Sequence, residues 1–278
     1  MSLSAAVLGL TVLCYLLGAV AHGANLLLRR PWLLNAGRAL AVAAALLHGT
    51  AIGLRCMEVH HAPFTTPAES LSLLGWIVCL LYLGMEAVWK LSAAGPFALG
   101  LSFLLVLTGA SLAVGAGPSS APQGETAALL AERAISLHIL ATVAALGAFA
   151  LAFCCAALYL IGHHILKSKH GLAWIKRLPP LATVESAAFT LVAIGFPLLT
   201  LGILSGFARA ARGGLPPGWQ TDGKTILAYA VWAVYGAFLY ARLGANWPPV
   251  RTAYILIVGL ALSLLLLLVP SAAHRFTG

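Results

Sequence analysis

Three histidines of this chain could do chemistry, because each lies within or just beyond a long run of apolar residues. They are His48, His138 in AISLHILATV, and His274 in PSAAHRFTG. An imidazole is unusual beside lipid, and there it often marks a functional path. A neutral imidazole can ligate a metal ion or haem iron, or it can simply bond to a backbone carbonyl or across helices. Residue type alone leaves both interpretations open.

A second candidate site is the Gly/Pro-rich segment RAARGGLPPGWQTDGK, which contains Trp219 and the only aspartate, Asp222. Its Trp side chain could pack on a bound ligand or anchor the chain at a membrane surface. The sequence shows no activated nucleophile, paired carboxylate or hydrolytic metal spacing, which argues against an enzyme. The five cysteines show no C-x-x-C spacing, so they do not suggest a thiol-exchange or zinc site.

The elements that must position these residues follow from composition. The chain has 278 residues, of which 61% are hydrophobic and 8% charged, and its mean hydropathy is +0.98. Soluble domains are usually about a quarter charged, and spanning a bilayer takes roughly 20 apolar residues in a helix. We therefore expect an all-α integral membrane protein, a bundle of about eight transmembrane helices with short loops, forming a single transmembrane domain over residues 1–278.

Apolar runs between Pro, Gly and charge clusters give the individual spans. The first run is too long for a signal peptide and lacks a basic leader, so we expect a retained helix. The chain shows no internal repeat, which gives little support to a transporter built from inverted halves. The predicted helices lie near residues 3–28, 37–56, 69–89, 95–116, 131–166, 184–208, 225–243 and 251–270.

The charge distribution predicts how the chain lies in the membrane. The formal charge of +9 is scattered over short loops, which argues against nucleic-acid binding. Loops one, three, five and seven carry ten of the 16 Lys and Arg residues, which places those loops in the cytoplasm and both termini outside. His138, Trp219, Asp222 and His274 would then share one outer face.

Several segments together resemble the cytochrome c assembly protein family, which includes the CcsA/ResC proteins and the HemX- and YpjD-like membrane proteins. The most similar segment is LPPLATVESAAFTLVAIGFPLLTLGILSGFARA, followed by HHAPFTTPAESLSLLGW and the histidine-containing ISLHILATVAALGAFALAF. The resemblance extends from about residue 47 to 278. It implies a bacterial plasma-membrane protein that handles haem for cytochrome c assembly.

The resemblance also implies site residues. In the family an outer loop of the form W-x-W-D-P-K-E holds haem between two histidines. His138 and His274 match the two histidines, and Trp219, Asp222 and Lys224 match positions of the loop. The second Trp, the Pro and the Glu of that loop are replaced here by Thr221, Gly223 and Thr225. The implied cofactor is a non-covalent b-type haem, with Arg133 and Arg275 as candidate partners for its propionates.

One departure from the family pattern concerns Tyr240, which occupies a position where haem-exporting members have a histidine. Together with the altered loop, it makes the chain most similar to the YpjD/HemX branch. The leading hypothesis is haem delivery at the outer face to apocytochrome c, with a ResB-like membrane subunit as a further partner. The alternatives are a membrane scaffold or chaperone that has lost haem binding, and a small-molecule transporter suggested by the buried polar residues.

Overall fold

The structure, a computed structural model, describes residues 2–59, 66–115, 133–168, 178–212 and 218–269. Within these ranges all regular structure is helical, as expected. Short 3-10 turns occur at Ser92–Ala94 and Trp219–Thr221. The eight long helices are α1 (Leu3–Leu28), α2 (Pro31–Val59), α3 (Pro67–Trp89), α4 (Gly95–Gly115), α5 (Arg133–Ser168), α6 (Leu181–Ala211), α7 (Gly223–Leu243) and α8 (Pro249–Leu268).

Each of the eight helices has a segment long and apolar enough to cross a membrane. Every helix exposes large apolar side chains on its outward face. In water, so large an apolar surface would lead to aggregation. Such exposed residues include Leu10, Leu46, Leu80, Leu104, Leu140, Leu201, Ile226 and Leu265. The chain is therefore a multi-pass membrane protein, which confirms the fold class expected from composition.

The start of α2 differs most from the sequence prediction. The helix begins at Pro31, whereas the sequence predicts a start near residue 37. The connection that contains the arginine cluster is therefore very short. Arg29 caps α1 in the left-handed conformation, with φ of 51°, and only Arg29 and Arg30 separate the two helices. Proline is favoured at the start of a helix because its missing N–H has no intrahelical partner there.

The start of α3 follows the prediction closely. Thr66 and Glu69 form a reciprocal capping box, in which the Thr66 hydroxyl accepts from the Glu69 N–H at 3.2 Å. The carboxylate of Glu69 therefore satisfies a helix N-terminus, the structural role that its position in the sequence suggests.

The helices pack as two groups of four, α1–α4 and α5–α8, which meet where α3 packs against α5. Gly147 on α5 permits this approach, since a Cβ atom there would lie 2.5 Å from Ile77 Cγ2 of α3. Small residues commonly allow such close packing between membrane helices.

Contacts at the two ends of the bundle show that successive helices run antiparallel. At one end, the N-terminus of α1 meets the C-terminus of α2 through Ser4 and Glu58, and His138 meets Ser205. At the other, Arg29 and Lys90 line one cavity. We call these the His138 end and the Arg29 end. Positive charge predicts the Arg29 end to be cytoplasmic.

Candidate functional site

His138 lies in the second turn of α5, half-buried against the last turns of α6. Its Nδ1 atom is 2.9 Å from the carbonyl oxygen of Gly202 and 2.8 Å from Ser205 Oγ. Ser205 Oγ itself donates to the Gly202 carbonyl at 2.7 Å. Because a carbonyl only accepts, this network puts the ring proton on Nδ1. The Nε2 lone pair is left available, and no described residue bonds to it.

The contact between α5 and α6 depends on Gly202. A Cβ atom at this position would lie 2.5 Å from Thr142 Oγ1, so any side chain would push the helices apart. The Thr142 hydroxyl donates to the carbonyl of His138 at 2.8 Å, one turn back along α5. The same glycine thus brings the helices together and supplies the carbonyl that orients the imidazole.

Aromatic side chains cluster at the same end of the bundle, where α6 meets the start of α7. Trp219 packs edge-on against Phe207, with ring centroids 5.2 Å apart, and Tyr229 stacks on the same ring at 6.2 Å. A Cβ atom built at Gly206 would lie 4.0 Å from His138 Cε1, but the next residue, Phe207, points about 100° further round α6 and packs toward α7. Trp219 therefore shares the end of α6 that holds His138 but lies on the α7 side of that helix, together with Phe207 and Tyr229, which the sequence analysis did not single out.

Asp222 has a clear structural role. Its carboxylate accepts from the backbone N–H of Lys224 at 3.1 Å and so caps the N-terminus of α7. The preceding residues Trp219–Thr221 form one 3-10 turn. The altered Trp loop is thus a compact helix start, with Trp219 turned onto Phe207.

Two cations lie close to this region. Arg209 follows Ser205 by four residues, one turn further along the same face of α6. Lys224 lies in the first turn of α7 and is half-buried. Of the arginines predicted from the sequence, Arg133 is the first residue of α5, whereas Arg275 lies outside the described residues, as does His274.

His48 has both ring nitrogens occupied. Tyr15 Oη lies 3.0 Å from Nδ1 and Ser72 Oγ lies 2.9 Å from Nε2. The side chain is 0% exposed among α1, α2 and α3. This is the arrangement of a histidine that bonds across helices, the second of the two interpretations open from the sequence.

A buried polar cluster at the Arg29 end was not anticipated from the sequence. Glu86 on α3 accepts from Arg38 Nε of α2 and from the Tyr82 hydroxyl, each at 2.8 Å. Tyr82 Oη lies 3.2 Å from Nε2 of His22 on α1. The sequence signal was the placement of Arg38 and Glu86 inside or at the edge of predicted helices, where charges need partners.

Within the described residues, no group of three or more His, Cys, Asp or Glu side chains could hold a metal ion. A single well-oriented imidazole such as His138 instead suits an axial position on a metal that carries its own equatorial ligands.

Comparison with known proteins gives a consistent assignment. Residues 64–273, about three quarters of the chain, match the family model described as Cytochrome C assembly protein. A cytochrome c biogenesis protein CcsA from a Synechococcus species is 30% identical over 259 residues, covering 80% of this chain and 79% of that protein. Protein HemX of Bacillus subtilis is 25% identical over 183 residues, covering 65% of this chain and 63% of HemX.

A CcsA protein of Thermosynechococcus vestitus is 36% identical over 85 residues, which is 31% of this chain and 26% of that protein. The chain therefore aligns with about a quarter of that CcsA and with less than two thirds of HemX.

Proposed function

Because the chain belongs to the cytochrome c assembly protein family, we propose that it takes part in cytochrome c assembly by binding haem at its His138 end and presenting it to apocytochrome c. The observation that carries this proposal is the orientation of His138. Metal-ligating histidines typically donate their second ring N–H to a carbonyl or carboxylate, which fixes the tautomer and raises ligand basicity. Gly202 and Ser205 provide this arrangement.

Side chains at the same end of the bundle have the chemistry that a large, flat, apolar ligand with charged edges needs. Trp219, Phe207 and Tyr229 form an aromatic surface on which a macrocycle can pack. Arg209 and Lys224 lie toward the water-facing end, where propionates would need cationic partners. When bound, haem would supply an iron able to accept an imidazole nitrogen, and Nε2 of His138 would provide one.

The second axial ligand in this proposal is His274, which the family resemblance assigns. Arg133 and Arg275 remain further candidates for propionate binding. The chain has no C-x-x-C-H sequence for covalent haem attachment, so we propose a non-covalent b-type haem. Asp222 contributes by capping α7, which holds the Trp219 turn in place.

We place the His138 end at the outer face of a bacterial plasma membrane, on the basis of the Lys and Arg distribution and of bacterial relatives such as HemX of Bacillus subtilis. Apocytochrome c would receive haem on that side, alone or together with a ResB-like membrane subunit.

The direct test is the visible absorption spectrum of detergent-purified protein, oxidised and reduced, with and without added haem. We expect a low-spin bis-histidine spectrum for the wild type and a weakened or high-spin spectrum for His138→Ala and for His274→Ala. His164→Ala is the matched control, because His164 is exposed on the same helix at the opposite end of the bundle. Its spectrum should equal that of the wild type.

A wild-type protein that cannot be loaded with haem would contradict the proposal. So would a spectrum that survives both the His138 and the His274 changes, since iron would then be held elsewhere.

A scaffold or chaperone without haem is the second candidate. It is favoured by the structural roles of the loop residues, since the Asp222 carboxylate caps α7 and Trp219 packs on Phe207. Under this function, cells carrying His138→Ala together with His274→Ala would still produce mature cytochrome c at the wild-type level, whereas the haem-binding function predicts a large loss.

A further inference from the structure

A cavity of about 250 Å³ opens at the Arg29 end, on the side of the bundle opposite His138. It lies between the end of α1, the 3-10 turn after α3, and the residues that precede α6. Its lining includes Asn25, Arg29, Lys90, Ser92, Leu178 and Pro179. The cavity is separate from the candidate haem site and from the buried cluster around Glu86.

The charge of this cavity is positive. Arg29 and Lys90 contribute two cations, Asn25 and Ser92 add hydrogen-bonding groups, and the described lining contains no carboxylate. The nearest carboxylate along α3, Glu86, is engaged by Arg38 and Tyr82. The chemistry of the lining therefore suits an anion.

Both cations occupy the residue that ends a helix in the left-handed conformation, with φ of 51° at Arg29 and 55° at Lys90. Their backbone N–H groups cap the carbonyls of Asn25 and Glu86 at 2.9 and 3.0 Å. Helix capping is thus achieved by the backbone, and it does not require either cationic head group.

Exposed apolar side chains lie at the helix ends near the cavity, and they favour a lipid over a free anion as its ligand. Leu28 is 63% exposed, Trp32 66% and Val88 69%, and all three lie at the same ends of α1, α2 and α3. An anion bound here would have hydrocarbon chains as neighbours on the membrane side. Cations at the ends of transmembrane helices lie at the level of lipid headgroups.

We propose that this cavity binds the phosphate of an anionic phospholipid, with Arg29 and Lys90 holding the headgroup and the apolar side chains of α1, α2 and α3 contacting the acyl chains. Basic pockets between transmembrane helices on the cytoplasmic side are suited to such headgroups. The proposal does not depend on haem binding, because its residues and its end of the bundle are different.

The test measures lipid binding to the purified full chain in detergent by native mass spectrometry. Phosphatidylglycerol, phosphatidylcholine with the same acyl chains, and inorganic phosphate are each titrated. We expect phosphatidylglycerol to bind more tightly than phosphatidylcholine. The Arg29→Gln/Lys90→Gln variant should lose roughly 25-fold in affinity for it, since each cation contributes about fivefold.

Two variants control for charge and fold. Arg29→Lys/Lys90→Arg keeps both charges and should keep the binding. Lys167→Gln/Arg251→Gln removes two cations from the same end of the bundle but outside the described lining, and should leave the preference for phosphatidylglycerol unchanged. Thermal unfolding of each variant shows that it is folded.

Equal binding of the two lipids, or equal losses in the two charge-removing variants, would overturn the proposal. Inorganic phosphate binding as tightly as phosphatidylglycerol would also overturn it, because the ligand would then be a free anion and not a lipid.

Discussion

At the scale of single residues, His138 and His48 show how the same side chain is given two different uses. His48 bonds through both nitrogens and is fully buried, so it has no nitrogen left for a ligand. His138 bonds through Nδ1 alone, to acceptors that come from a neighbouring helix. The difference lies in the partners, because both imidazoles belong to long apolar helices.

The first prediction at this scale concerns Ser205. We expect Ser205→Ala to speed the loss of haem by severalfold, because Nδ1 keeps only the Gly202 carbonyl and the ring is less firmly oriented. Transfer of haem from the purified variant to a scavenging haem-binding protein measures this rate. Ser111→Ala removes a similar hydroxyl-to-carbonyl bond from the exposed face of α4 and should have no effect. Equal rates for wild type and Ser205→Ala would contradict the orienting role.

At the scale of elements, the candidate site exists because α5 and α6 approach closely. Gly202 faces Thr142, and one further turn of α6 places Gly206 beside the imidazole. Trp219 is held at the same end of the bundle by Phe207 on α6 and by the capped start of α7. The short turn Trp219–Thr221 is therefore positioned by helix packing and by one N-cap.

We expect Gly202→Leu to abolish the haem spectrum and to lower the unfolding temperature. A side chain there overlaps Thr142, and overpacking of this kind costs about 1–3 kcal/mol. The control is Gly206→Ala, because a Cβ atom at that position meets His138 Cε1 at an ordinary 4.0 Å. Spectroscopy and thermal unfolding of both variants check the prediction. A normal spectrum in Gly202→Leu would show that the site does not need this helix contact.

The buried cluster around Glu86 gives a prediction for the packing of α1, α2 and α3. Glu86 has a side chain 7% exposed and pairs with Arg38, which is 43% exposed. We expect Glu86→Gln to lower the free energy of unfolding by about 1–3 kcal/mol, because Arg38 loses its charged partner while one side of the pair stays accessible.

A double-mutant cycle with Arg38→Gln isolates the contribution of the pair. The double variant should be less destabilised than the sum of the two single variants. Strict additivity would mean that the Arg38–Glu86 pair contributes nothing beyond the separate side chains.

At the scale of the whole molecule, the two four-helix groups carry different polar features. The first contains His48 and the Glu86 cluster in its interior, and the second carries His138 and the aromatic surface near one end. Each of the eight helices is continuous over its described length. A transporter site built from broken helices therefore has no counterpart within the described residues.

Membrane orientation gives the prediction for the whole molecule. In a variant whose five cysteines are replaced, we expect Gln220→Cys to react with a membrane-impermeant maleimide in intact cells, and Asn246→Cys to react only after permeabilisation. Both positions are exposed and lie at opposite ends of α7. The reverse labelling pattern would place the His138 end in the cytoplasm and contradict outer-face delivery to apocytochrome c.

Composition and local pattern are enough to predict the features that depend on a few neighbouring residues. Apolar runs of membrane-spanning length predict the eight helices. The capping box of Thr66 and Glu69 is a structural observation, and it moves the start of α3 slightly ahead of the predicted position near residue 69. The matching order of motifs gave the family. Pro31 shows the limit of local patterns, because the arginine cluster predicts a loop up to about residue 37 whereas the helix begins at the proline.

The engaged nitrogen of His138, the two hydrogen-bond partners of His48 and the pairing of Arg38 with Glu86 depend on tertiary packing. These outcomes depend on which helices become neighbours and how they are rotated about their axes. Most surfaces of the helices are apolar, so the hydrophobic pattern does not select a partner face. Glycines such as Gly147 and Gly202 set the close approaches, and their effect is visible only once both helices are in place.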